Sequence, residues 1–347
     1  MKALLYDQFG GLLRVEQVAD PVPPDDGVVV EVRAVGVCRS DWHGWQGHDA
    51  DIRTLPHVPG HEFAGVVAET GRCVSRWQPG DRVTMPFVAG CGVCEECQAG
   101  AAQVCPHQFQ PGFTAWGAFA ERVAVRYADF NLVPLPQAMD FDVAAGLGCR
   151  TATAYRAVAL QGAVRPEQWV AVHGCGGVGL AAVMAAAALG ARVIAIDVQG
   201  DALTLAQRFG AEFVVDASSC DDVVAAILDR CGGAHVSLDC LGSAATATNS
   251  LLCLRRRGRH VQVGLLAGDD FRPRLPWDRI IAYELAAVGS HGLAAADYGP
   301  LMRMTAAGQL PIGELIQRRI RLSEAGAAIA ALPMSAAPGT TVVTQFD

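Results

Sequence analysis

Four cysteines fall within the stretch GCGVCEECQAGAAQVC, residues 90–105: Cys91, Cys94, Cys97 and Cys105. Two-residue gaps let thiolates curl onto one ion, and four of them fill the shell of a zinc at about 2.3 Å each. A closed site of this kind has no open position for a substrate, so it braces a loop rather than polarising an oxygen. An iron–sulfur cluster accepts the same spacing and stays open as an alternative.

A second set of donors is dispersed. GVCRSDWHG, residues 36–44, carries Cys38, and PGHEFAG, residues 59–65, carries His61. Each has an acid nearby, Asp41 and Glu62, available to orient a ligand. A lone His or Cys in an apolar chain is more often a packed core residue, so a third donor is needed. Cys149, in AAGLGCRTATAYRA, is the candidate. Two thiolates and an imidazole balance a divalent zinc and leave its fourth position open, the arrangement of a metal that acts on a substrate oxygen.

WVAVHGCGGVGLAAV, residues 169–183, places Gly174, Gly176, Gly177 and Gly179 between a strand and a helix, with Asp197 closing the next strand. The glycines let a pyrophosphate approach the helix N-terminus, and the carboxylate of Asp197 can accept both ribose hydroxyls. The same carboxylate repels a 2′-phosphate, which favours NAD over NADP. The alternative is a domain of this shape that binds no nucleotide.

These residues need elements to hold them. The first 145 or so positions alternate β-rich runs (VVVEVRAVGV, AGVVAET, DRVTMPF, AERVAVR) with Pro and Gly turns, which predicts an irregular β domain. From about residue 150, WVAVHG, RVIAID, FVVD, VSLDCLG and HVQVGL alternate with helical stretches, which demands crossovers and a parallel sheet. After about residue 290 the rhythm is lost, and the tail is expected to return to the first domain. At 347 residues there is room for two domains.

Composition narrows the function. With 51% hydrophobic and 18% charged residues the chain reads as compact and soluble, and its net charge of −8 argues against a nucleic-acid partner. RRRGR, 255–259, reads as a solvated turn. No apolar run suits a signal peptide or a membrane span, AAVMAAAALGA (181–191) reading as a buried helix, so a cytoplasmic protein is expected. In that compartment twelve cysteines speak for metal or catalysis before disulfides. His48, His57, His107, His173, His235, His260 and His291 lack partner motifs and are expected mostly at the surface or in turns. The scattered cysteines, with Cys175 of the glycine loop among them, are expected to behave as small hydrophobes.

GVCRSDWH, the GHE of PGHEFAG, the four-cysteine lobe, GLGCRTATAYRA and GCGGVG with Asp197 together resemble the zinc-dependent medium-chain alcohol dehydrogenase family over essentially the whole chain. The resemblance implies an α/β chain: a GroES-like irregular β catalytic domain (1–150) with a structural zinc lobe (about 90–106), a doubly wound Rossmann cofactor domain (151–289) and a return segment (290–347). It implies two zinc ions per chain. Cys38, His61 and Cys149 look like the catalytic ligands, Glu62 like a glutamate that approaches that metal during ligand exchange, and Cys91, Cys94, Cys97 and Cys105 like the structural ligands.

Ser40 resembles the hydroxyl that takes the substrate proton, and His43 the histidine at the solvent end of that relay. Arg39 resembles a pyrophosphate contact and Asp41 the partner of the histidine ligand. Val178 of the glycine loop, with Val263, Gly264 and Leu265, resembles cofactor contacts. Phe87, with Trp42 and Trp116, suggests a pocket for apolar or aromatic alcohols, and Trp45, Gln46 and Gly47 are candidates for a loop over the cleft. Ala202 and Thr340 stand where many relatives carry cations for the cofactor, which leaves more of that charge to Arg39. Polyol dehydrogenases tend to carry a glutamate in place of Cys149, so the thiolate argues for simple primary or secondary alcohols. Polyol or amino-alcohol oxidation and a non-catalytic zinc- and nucleotide-binding role are the alternatives. A homodimer or homotetramer acting on a small molecule is expected.

Overall fold

The computed structural model describes residues 1–266, 270–332 and 338–346. One sheet has six strands in the order Ala211–Asp216, Arg192–Asp197, Trp169–His173, Ala234–Asp239, Leu254–Gln262 and Ala286–Gly289. Every pairing in it is parallel. Parallel strands need helical crossovers, and these cover both faces, which is why Trp169–His173 is buried along its length. The two-residue alternation of that strand divides the core: Val170 and Val172 pack with the helix Gly177–Ala188, while Trp169 and Ala171 face Ile227 of the helix Val223–Cys231. Leu180 and Met184 of the first helix are fully enclosed, each burial contributing about 2 kcal/mol.

The strand order reverses between Trp169–His173 and Ala234–Asp239. Crossovers leave there in opposite directions and open a crevice at the carboxyl ends of the strands.

The second sheet has seven strands. Val28–Val37 pairs antiparallel with Phe63–Thr70, Arg122–Val125 and Thr340–Gln345, and Ile316–Arg321 lies parallel beside the last of these. The tail thus supplies two strands to the sheet begun by the N-terminal residues. Arg82–Thr84 and Val133–Pro134 complete the other edge. Among the described residues no helix is long and apolar enough to cross a membrane.

Three expectations are corrected. RRRGR lies inside the strand Leu254–Gln262 rather than in a turn. Its register explains the misleading polarity: Ala234 faces Leu254 and Val236 faces Arg259, so Arg255, Arg256 and Arg257 bulge into solvent while Gly258 stays buried. His57, His173 and His260 are buried rather than superficial. His57 Nε2 meets the Gly112 carbonyl at 2.9 Å. His173 and His260 belong to a buried polar chain that runs through Cys253, Ser237 and Ser250 to Gln262. Cys73, expected to pack as a hydrophobe, is exposed.

Candidate metal centre and adjoining cleft

Cys38 follows the strand Val28–Val37 and sits at the N-cap of the short helix Arg39–Trp45. Asp41, the third residue of that helix, is 2% exposed and spends both oxygens on the site. Oδ2 accepts from the Cys38 N–H at 2.9 Å; Oδ1 accepts from the Gly60 N–H at 3.1 Å and lies 3.0 Å from His61 Nδ1. One carboxylate therefore fixes the backbone of one donor and the ring of another, leaving Nε2 to point away. Gly60 has φ 109°, and a Cβ there would lie 2.6 Å from the Phe119 nitrogen, so the turn that delivers His61 requires glycine.

Cys149 comes from the π-helical turn Leu147–Thr151. A wide turn leaves carbonyls without helical partners, and the Tyr298 hydroxyl donates to those of Leu147 at 3.1 Å and Gly148 at 3.3 Å.

The donor atoms of Cys38, His61 and Cys149 lie within 4.8 Å of one another. The neighbouring Cys38 and Cys149 thiols compete for one charge, so Cys149 pulls Cys38 well below the usual thiol range and Cys38 pushes Cys149 well above it. Burial opposes charge on His61, but Asp41 and Cys38 raise it well above an ordinary histidine. His61 Nε2 is buried without a hydrogen-bond partner. A buried orphan nitrogen facing two thiols is the donor chemistry of zinc, and three protein donors leave a position open. Glu62 is not in the cluster. Both its oxygens are taken by Arg150, through the backbone N–H (2.8 Å), Nε (3.0 Å) and Nη2.

The lobe brings Cys91, Cys94, Cys97 and Cys105 within the same 4.8 Å limit. Its sulfurs accept backbone N–H groups from their own segment: Cys105 from Cys91 and His107 at 3.3 Å each, Cys94 from Cys97 at 3.5 Å. The Val93 backbone leads the pull that takes Cys91 down to about 6. Asn131 clamps the entrance by exchanging two 2.9 Å bonds with Gly90. The lobe also touches the tail, since His291 Nδ1 lies 2.9 Å from the Gln103 carbonyl.

A cleft of about 530 Å³ joins the metal centre to the crevice of the parallel sheet. Arg39, Ser40, His43 and Phe87 line it from one side, and Val178, Val263, Gly264 and Leu265 from the other. The His43 and His48 Nδ1 atoms are 3.1 Å apart, and burial, His48 and Arg39 together lower His43 below an ordinary histidine. In the glycine loop a Cβ on Gly179 would fall 1.8 Å from the Gly174 carbonyl, whereas one on Gly176 would meet nothing within 4 Å. The first glycine permits close packing, and the second leaves open space where a ligand can approach the backbone. Asp197 Oδ2 accepts from the Cys175 N–H at 2.5 Å and Oδ1 from the Gln199 N–H at 2.9 Å, so the carboxylate is held at the edge of this loop.

Of the aromatic residues expected around the substrate, Phe87 lines the cleft and the tryptophans do not. Trp116 lies in a separate depression with Phe109 and Ala115, its indole donating to the Pro56 carbonyl at 2.9 Å. Trp42 packs edge-on against His43 and on the core of the seven-stranded sheet, and Trp45 donates to the Gly11 carbonyl at 2.8 Å. None of these indoles, nor Gln46 or Gly47, lines the cleft. Asp49, Gln108, Gln110, Phe113, Ser290 and His291 do, which makes its character mixed. No local motif marked these residues, because the fold gathers them from three segments. Arg150 was also missed, although it directly follows Cys149 in the sequence.

Residues 24–137 match the alcohol dehydrogenase GroES-like domain family, and residues 177–307 the zinc-binding dehydrogenase family. An alcohol dehydrogenase from Geobacillus stearothermophilus is 36% identical over 268 residues, 76% of this chain and 78% of that protein. A sorbitol dehydrogenase from Halalkalibacterium halodurans is 31% identical over 330 residues, 93% of this chain and 94% of the other. Among solved structures, a putative zinc-binding dehydrogenase from Sinorhizobium meliloti 1021 bound to NADP superposes with a TM-score of 0.89 at 31% identity, covering 99% of this chain and 98% of that one.

Proposed function

The chain belongs to the zinc-dependent medium-chain alcohol dehydrogenase family of oxidoreductases acting on CH–OH groups, and from that premise we propose that it is an NAD-linked enzyme interconverting a primary or secondary alcohol with its aldehyde or ketone. The observation that carries the reading is the three-donor cluster with an orphan His61 nitrogen opening into the cleft that the glycine-loop helix also borders. Cys38, His61 and Cys149 would hold the working zinc, which supplies Lewis acidity toward the substrate oxygen, and the lobe would hold a second, bracing ion. Ser40 takes the hydroxyl proton, and His43, kept neutral near pH 7 by its lowered pKa, passes it toward solvent. Asp41 orients His61.

Asp197 supports NAD: a carboxylate suits two ribose hydroxyls and repels a 2′-phosphate. One relative binds NADP, so the cofactor must be measured on this chain. The mixed wall supports a second reading of the substrate, an alcohol with a further polar group, since Ser290 Oγ is buried without a partner in the lining. We take the enzyme as a cytoplasmic homo-oligomer, as its family relationship suggests.

Metal content and initial rates test the proposal. Wild-type protein is expected to hold two zinc ions and to reduce NAD at least tenfold more efficiently than NADP, with benzyl alcohol, 2-propanol and sorbitol compared as donors. One zinc per chain, or a preference for NADP, would remove the corresponding part of the reading. A preference for sorbitol would replace the simple-alcohol assignment with the polar one.

A further inference from the structure

Arg150 has one edge that the proposed function leaves unused. Its residue is 5% exposed, yet the guanidinium spans two regions. On one side it grips Glu62, and Nη2 also donates to the Val37 carbonyl at 2.7 Å. On the other it reaches the first residue of the helix Gly177–Ala188: a Cβ built on Gly177 would lie 3.2 Å from Arg150 Cδ and 3.4 Å from Nη1. Among the described residues Nη1 has no hydrogen-bond partner.

Two independent features therefore meet. The first turn of a twelve-residue helix offers free N–H groups and the positive end of its dipole, and a fixed cation stands beside it with N–H donors to spare. Glu62 offsets the charge of the arginine but does not reach the helix, so the assembled site still calls for an anion. The neighbouring Gly176 leaves the approach open. Thr340 begins a strand whose next residue, Thr341, pairs with Val37, the residue whose carbonyl Arg150 holds. The guanidinium thus occupies the end of the strand pair at which Thr340 stands.

We propose that Arg150 binds the diphosphate of the dinucleotide through Nη1 while its other edge keeps Glu62 in place. This rests on the dinucleotide reading above. Planar donors on two edges are needed for both tasks, which a lysine cannot supply.

The test is competition by ADP-ribose and by adenosine against NADH fluorescence, on zinc-loaded full-length protein. Arg150→Gln leaves the Glu62 carboxylate buried without its partner, so the double variant Arg150→Gln/Glu62→Gln is measured beside it, with melting temperature as the check on folding. ADP-ribose is expected to weaken about 10- to 100-fold in whichever variant folds, and adenosine, which has no phosphate, by less than about 3-fold. Equal weakening of both ligands, or no weakening of ADP-ribose, overturns the assignment while leaving dinucleotide binding intact. A wild-type chain that binds no ADP-ribose overturns the dinucleotide reading and this inference with it.

Discussion

Cys91, Cys94, Cys97 and Cys105 come from one short run of chain around a single helical turn, Glu95–Gln98, whereas Cys38, His61 and Cys149 are delivered by three elements spread over residues 38–149. The lobe supports its sulfurs with backbone N–H groups of its own segment. The buried site draws on a strand end, a glycine turn, a π-helical turn, the Asp41 carboxylate and the Tyr298 hydroxyl from the tail. A local site needs only its loop, while a dispersed site exists only when the domain does. That difference lets the dispersed site keep an open position, because the surrounding fold, rather than a fourth ligand, holds the other three in place. The separation is incomplete, since Gln103 of the lobe holds His291 of the cleft wall, which packs edge-on against Phe87.

Removing one donor from each site should separate them most clearly. Cys149→Ala is expected to lower kcat/KM by about a thousandfold or more and to release one zinc of two, as elemental analysis and steady-state rates would show. Retention of both metal and activity would end the distinction drawn here. Cys97→Ser should release the other zinc, lower the melting temperature by several degrees and reduce kcat/KM by less than about tenfold. If KM carries that loss, the Gln103–His291 contact transmits it; an unchanged KM would show the lobe to be independent of the cleft.

The smallest effect concerns pH. Burial, His48 and Arg39 lower the His43 pKa from its ordinary 6.5, so His43 accepts a proton only above that lowered value. Alcohol oxidation should therefore fall only as pH drops through that lowered value, on the acid side of an ordinary histidine. His43→Gln should cost less than about tenfold at pH 8 and abolish this acid limb, whereas Cys97→Ser should leave the limb where it is. A limb that persists in His43→Gln would assign the titration to another group.

The lobe was readable because its information is a spacing, and so was the glycine loop, where strand, turn and helix are consecutive. The alternation of strands and helices announced the parallel sheet for the same reason. Cys38, His61 and Cys149 could be nominated by residue type, but only the sheet shows them sharing 4.8 Å. Arg150, Tyr298 and Ser290 carried no local signal, because their partners lie far away in sequence. Aromatic residues misled: Trp42 and Trp116 lie close in sequence to site residues, but their rings are turned into the core and into a separate depression. RRRGR misled because a bulge lets a strand present arginines as a turn would.

The pairing of Thr340–Gln345 with Val28–Val37 also sets an order of events during synthesis. All six strands of the parallel sheet lie between residues 169 and 289, so that unit can close while the tail is still being made. The strand leading to Cys38 gains one of its neighbours only when residues 341–343 emerge, more than 300 positions later. Such a contact has a large loop-closure cost and forms late. The nucleotide domain is therefore expected to be native on the ribosome before the metal centre is, and a nascent chain stalled at residue 335 should resist protease across 169–289 while remaining cleavable near residue 38. The strand Thr340–Gln345 thus acts as a late-arriving latch on the site that Cys38 belongs to.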